Sequence, residues 1–185
     1  MTDKARVVLQ DCEYAVLRHD IELQGEELRV SWVAILVLLR AVGHVLKKVD
    51  SKVSPAMAQA IAEWWDELTV SKPTPVVFWQ FIEPGRNRIV KLYEHGIWRQ
   101  LELEGPELDG NPTIVLVDQA NSRGGKISAE GGRAVSKLVW GPFAGRSERE
   151  AAIEACKWWH EVLDRLDARA KQIAQPESHS CGESC

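Results

Sequence analysis

Apolar residues recur along the first half of the chain at three- and four-residue steps, a spacing that predicts helices. Over residues 4–20, Val7, Val8, Cys12, Ala15 and Val16 form a stripe that Leu9 and Leu17 widen, and Gly25 marks the break that follows. Residues 26–49 set Leu28, Trp32, Ile35, Leu36, Leu39, Val42, Val45 and Leu46 at helical spacing. Val33, Val37 and Leu38 make that segment apolar almost all round. A helix of this kind belongs at the centre of a core. Ser54-Pro55 supplies an N-cap and a first-turn proline for a short helix, 55–68. Thr74-Pro75 repeats the signal for a helix carrying Val77, Phe78, Phe81 and Ile82.

Pro84-Gly85 then interrupts the pattern. Proline removes a backbone donor and disfavours helical geometry in the residue before it. A kink or restart is expected here, with Arg86-Asn87 near the start of a fresh turn and Gly96 as the stop. Free amides at such a start suit an anion.

From Ile97 the period changes to two. Ile97, Arg99, Leu101 and Leu103 alternate with Trp98, Gln100, Glu102 and Glu104, which predicts a strand. Residues 113–118 and 134–140 predict two more. The loop 121–133 between them is basic and glycine-rich, but it lacks the Lys-Ser or Lys-Thr ending of a phosphate-binding P-loop. Ser147 and Glu150 form a capping box for a last helix that runs to about Gln172. The expected fold is mainly α: a bundle of about five helices with a small antiparallel β insert, 97–141, before the last helix. One domain is expected over 1–174, followed by a flexible Ser/Cys tail, 175–185.

Composition sharpens this only in places. The 185 residues carry a net charge of −4, so a polyanion partner would need a local basic patch. Eight tryptophans stand against three phenylalanines. In Trp64-Trp65 and Trp158-Trp159 one ring of each pair should enter the core and its neighbour lie at the edge. Cys12 and Cys156 fall in helical patterns and are expected to be small buried hydrophobes. His179, Cys181 and Cys185 offer three metal-ligand types on a Ser/Gly-rich tail, too weak a pattern to assign a metal. No cofactor is expected. No signal peptide is visible, and the longest apolar run, 32–39, is shorter than a bilayer span. A cytoplasmic protein without membrane contact is the expectation.

Candidate chemistry gathers in Glu83-Pro84-Gly85-Arg86-Asn87-Arg88-Ile89-Val90-Lys91-Leu92-Tyr93-Glu94-His95-Gly96. Metal-independent RNA cleavage needs a general base, a general acid and a cation for the phosphate. Histidine fits the proton transfers and arginine the phosphate. On one continuous helix Arg88 and His95, seven apart, would lie about 20° from each other. Asn87 and Lys91 would form a neighbouring polar line. Arg40 and His44, four apart, share a face of the apolar helix, either as a catalytic pair or as a polar stripe meeting another helix.

An arginine, a polar residue and then a histidine near a helix start, after a long apolar helix, resembles the HEPN superfamily. The matching residues are the apolar segment 26–49 and Phe78-Trp79-Gln80-Phe81-Ile82-Glu83 with Arg86-Asn87-Arg88-Ile89-Val90-Lys91-Leu92-Tyr93. The resemblance covers about residues 5–95. It implies a helical bundle, a metal-independent endoribonuclease in toxin–antitoxin or phage-defence systems, a homodimer with facing motifs, and RNA and an antitoxin as partners. Arg86, Asn87, Arg88 and His95 are then the catalytic candidates, with Lys91 and Tyr93 contacting substrate. Two registers remain open. With Arg86-Asn87 as the motif pair, Lys91 stands at the nearest histidine position. With Arg88, His95 completes a wider spacing, but Ile89 stands where a polar residue is expected. The alternative is a non-catalytic helical interaction module in which Arg86-Asn87 is a structural polar seam.

Overall fold

A computed structural model describes residues 1–19, 23, 25–103, 113–117 and 132–175. The loop residues 118–131 and the tail residues 176–185, on which two of the expectations fall, lie outside the described residues. The elements are α1 (Asp3–Arg18), α2 (Gly25–Lys48), α3 (Pro55–Val70), α4 (Glu83–Leu92) and α5 (Glu148–Ala174). Strands β1 (Ile97–Leu103), β2 (Thr113–Val117) and β3 (Gly132–Leu138) lie between α4 and α5. The mainly helical bundle with a small β insert is therefore the observed fold. The sheet order is β2-β1-β3, all antiparallel, with Arg99 opposite Val117 on one side and Ser136 on the other.

The capping signals act as the sequence implied. Ser54 accepts from the Met57 amide at the start of α3, and Ser147 accepts from the Glu150 amide at the start of α5. Helix α1 is capped from a distance. The Asp50 carboxylate, buried in the short 3-10 turn after α2, accepts from the backbone amides of Lys4 and Ala5 at 3.2 and 2.9 Å. Thr2 and Arg6 then tie α1 to Asp167 on α5.

Helix α2 is the central element. Leu28, Trp32, Ile35, Leu36, Leu39, Val42 and Leu46 are buried along one side, against α1, α4 and α5. Trp159 enters from α5 and donates its indole N–H to the Leu39 carbonyl at 2.9 Å. Gly43 makes the approach possible, because a Cβ there would lie 3.0 Å from the Trp159 ring. The opposite side of α2 also carries apolar residues, among them Val30 and Val37, both exposed. Apolarity on both sides explains why Gly25–Lys52 is long and apolar enough, by length and composition, to cross a membrane. The eight-residue run understated it.

The tryptophan pairs behave as expected. Trp64 and Trp159 are buried, while Trp65 and Trp158 are only partly covered. Cys12 and Cys156 are buried with sulfurs 3.9 Å apart, joining the first and last helices. Their mutual hydrogen bond, then burial, pushes the Cys12 thiol pKa up, so it stays a thiol.

One expectation is refined and another is corrected. The chain changes register at Pro84-Gly85, where α4 opens with Arg86-Asn87 in its first turns, but it does not leave the helix to do so. Residues Val77–Ile82 form a wide π turn, in which the Glu83 amide donates to the Phe78 carbonyl, and the backbone continues into α4 without leaving helical angles. The register changes from five residues to four where Pro84 lacks a donor, so the proline falls where a bond is dispensable. Gly85 is a packing residue: a Cβ there would meet Leu36 at 3.1 Å and Trp140 at 3.2 Å. The helix also ends at Leu92, before His95. Tyr93 takes a left-handed conformation (φ 55°) and its amide donates to the Ile89 carbonyl, an αL closure without glycine, while the Glu94 amide donates to Arg88.

Gly96 has a different task. Its φ is +68°, and a Cβ would sit 1.9 Å from the Trp140 indole nitrogen. Replacing it with alanine both strains the backbone and displaces Trp140 from Phe81, on which it stacks at 6.2 Å. Gly96→Ala should lower unfolding free energy by about 2 kcal/mol in urea titration. A loss below about 0.5 kcal/mol, the range of a neutral surface change, would contradict the close contact.

Candidate functional site

On α4 the buried ridge is Gly85 and Ile89, packed toward α2 and Trp140. Arg86 and Arg88 are about 200° apart around the helix, so they leave on opposite flanks of that ridge. The sequence cluster is divided by its own helix.

The Arg88 flank has local partners, although the Arg88 Nε has no hydrogen-bond partner among the described residues. Its guanidinium pairs with Glu94 and lies 5.8 Å over the Trp140 ring. His95 is beyond the end of α4 and buried at 7% exposure, with Tyr93 edge-on to its ring at 4.9 Å. The His95 carbonyl accepts from the Trp32 indole at 3.0 Å, which fixes the segment to the core. Arg88 and His95 therefore do not form the two-turn face expected of a continuous helix. The cause is the early termination at Tyr93. Lys91 and Tyr93 are exposed on the outer part of this segment.

The Arg86 flank meets α2. Arg86 donates to the Asn87 side-chain oxygen at 3.0 Å, which orients the guanidinium. Across the seam stand Arg40 and His44. Arg40 is half-buried, its guanidinium 5.6 Å over the Phe78 ring, and its Nη1 has no hydrogen-bond partner among the described residues. Burial lowers the Arg40 pKa most; Glu83 opposes that shift and the charge of Arg86 adds to it. His44 is lowered by burial first, then by Arg40, Arg86 and Lys48. The charges of Arg86 and Glu83 on α4 thus act on Arg40 across the α2–α4 contact, and those of Arg86, Arg40 and Lys48 act on His44.

Of the six candidates, the structure keeps Arg86 and Asn87 together and separates them from Arg88 and His95. Arg40 and His44 join them instead, a pairing whose signal in the sequence was their four-residue spacing. The partner helix was not legible there, because it depends on which flank of α4 packs on α2.

The chemistry available is anion binding beside a neutral imidazole. Arg40 brings a half-buried positive charge, Arg86 a guanidinium oriented by Asn87, and Asn87 an amide. Among the described residues no group of three His, Cys, Asp or Glu side chains is placed to hold a metal ion.

The sign of the His44 effect is testable. A pKa lowered in the folded state means that the unfolded chain binds more protons just below the ordinary histidine value. The contribution to stability is intact above that value and declines as pH falls through it. In an NMR titration the His44 ring should have a midpoint below that of an ordinary histidine. The Arg86→Gln substitution should move it upward, and so should inorganic phosphate, which offsets the same charge. An unmoved midpoint in both cases would show that Arg86 does not face His44.

No protein-family model, curated protein or solved structure matches this chain.

Proposed function

We propose that this chain is an RNA-acting protein of HEPN-like build whose substrate contact is the seam of Arg40, His44, Arg86 and Asn87. The observation that supports it most is the exposed His44 imidazole, whose pKa is lowered by burial and by the charges of Arg40 and Arg86. A phosphate in the seam would neutralise the repulsion between Arg40 and Arg86. His44, neutral near pH 7, is then able to take a proton.

The reaction that fits is metal-independent strand cleavage. His44 removes the proton of a ribose 2′-hydroxyl, and the 2′-oxygen attacks phosphorus. The bond from phosphorus to the 5′-oxygen breaks, leaving a 2′,3′-cyclic phosphate and a 5′-hydroxyl. Arg40 and Arg86 stabilise the charge that builds on the phosphoryl oxygens. The imidazolium formed when His44 takes the 2′-hydroxyl proton then gives that proton to the leaving 5′-oxygen. In this reading His44 replaces His95 as the base, Arg88 and Tyr93 are structural, and the setting of host defence with an antitoxin partner is carried by the resemblance alone.

Purified protein incubated with single-stranded RNA and a chelator tests this directly. Wild type should cut, and His44→Ala should lower the rate by a factor of about 100 or more, the usual scale for a lost general base. Arg86→Ala should fall comparably, while Arg88→Ala should retain most activity. An inert wild type that still binds RNA through Arg86 would favour a non-catalytic binding module. Activity that survives His44→Ala would remove His44 from the mechanism.

A further inference from the structure

The seam continues past His44. Lys47 lies one turn further along α2, on the side that carries Arg40, and its ammonium sits 4.9 Å over the Trp65 ring. Trp65 meets Phe78 edge-on at 6.0 Å, and Phe78 is the ring beneath Arg40. The Phe78 link runs through the core, since that ring is fully buried, while on the surface the track follows the α2 face through exposed His44 and Lys47. The helix rise from Arg40 to Lys47 is about 10 Å.

Beside Trp65 a cleft of about 260 Å³ opens between the end of α2 and α3. Lys47 and Trp65 form its sides, Ile61 and Ala62 part of its apolar lining, and Asp66 its acidic edge. At that volume it is smaller than the about 300 Å³ at which drug-sized sites begin. It has room for one planar ring. Lys47 holds the indole by a cation–π contact, which is weaker than stacking of a base on an aromatic side chain. Asp66 offers an acceptor for an exocyclic amino group, and Lys47, once moved aside, a cation for the adjoining phosphate.

We infer that the Trp65 cleft is a base-stacking slot for single-stranded RNA whose phosphate lies in the Arg40–His44–Arg86 seam. Basic side chains interleaved with aromatic faces are the arrangement that takes single strands, because every base has a face to stack. A duplex keeps its bases inside and would leave the slot unfilled. The slot rests on the RNA reading of the seam, since it extends the same track. It adds a selection for unpaired strands that the seam alone does not have.

The test uses the full chain and fluorescence anisotropy with a labelled oligouridylate and an abasic strand of equal length and charge. Wild type should bind the base-bearing strand about tenfold more tightly than the abasic one. Ala62→Leu fills the cleft from an exposed position without altering Trp65, and it should abolish that preference. Trp65→Leu should do the same, with circular dichroism showing retained helix. Equal binding of the two strands by wild type, or a preference that persists in Ala62→Leu, overturns the slot and leaves the seam standing. Failure of wild type to bind either strand overturns the slot and the RNA reading together.

Discussion

The fold rests on how closely other elements approach α2. Gly43 lets the Trp159 ring reach the α2 backbone, and Gly85 lets α4 settle against Leu36. Each contact needs a missing side chain, so each fixes a depth and a rotation for the incoming helix. Buried aromatic groups in such contacts combine a large apolar area with one directed hydrogen bond. Trp159 to the Leu39 carbonyl and Trp32 to the His95 carbonyl are two such bonds, both on the buried side of α2. Once Gly85 and Ile89 must face inward, the directions of Arg86 and Arg88 follow. The packing of a glycine thus decides which arginine meets the imidazole of α2.

The resulting electrostatics run against the protein's overall balance. A chain with net charge −4 concentrates Arg40, His44, Arg86 and Lys48 in one seam, answered nearby by Glu83. Several other surface arginines are paired: Arg169 with Glu63 and Glu67, Arg146 with Glu154, Arg88 with Glu94. Such exposed pairs contribute little to stability, but they quench local potential. The seam keeps its potential, and a local field of this kind is what recruits an anionic ligand to an acidic protein.

The regular elements were legible because periodicity and caps report local preferences. Ser54, Ser147 and the apolar stripe of α2 needed no tertiary information. The stop at Tyr93 was not legible, since a non-glycine residue in a left-handed conformation is held there by surroundings: Arg88 with Glu94, and Trp32 with the His95 carbonyl. Pro84 marked the register change but not the unbroken helix, for a related reason. A π turn absorbs a missing donor, and nothing in the local sequence announces one. The site was half legible. Arg86-Asn87 and Arg40-His44 each stood out by spacing, but their meeting depends on the rotation of α4 about its axis. Trp65 and Lys47 were visible as residues and not as a cleft.

The central claim is that one flank of α4 is the interface and the other is structural. It is tested most directly by RNA affinity measured against salt concentration for wild type, Arg86→Gln and Arg88→Gln. The account predicts that Arg86→Gln weakens binding and flattens the logarithmic salt slope by about 0.7, the share of one phosphate contact on a single strand, while Arg88→Gln leaves both near wild type. Equal losses in the two variants, or a loss confined to Arg88→Gln, would contradict it.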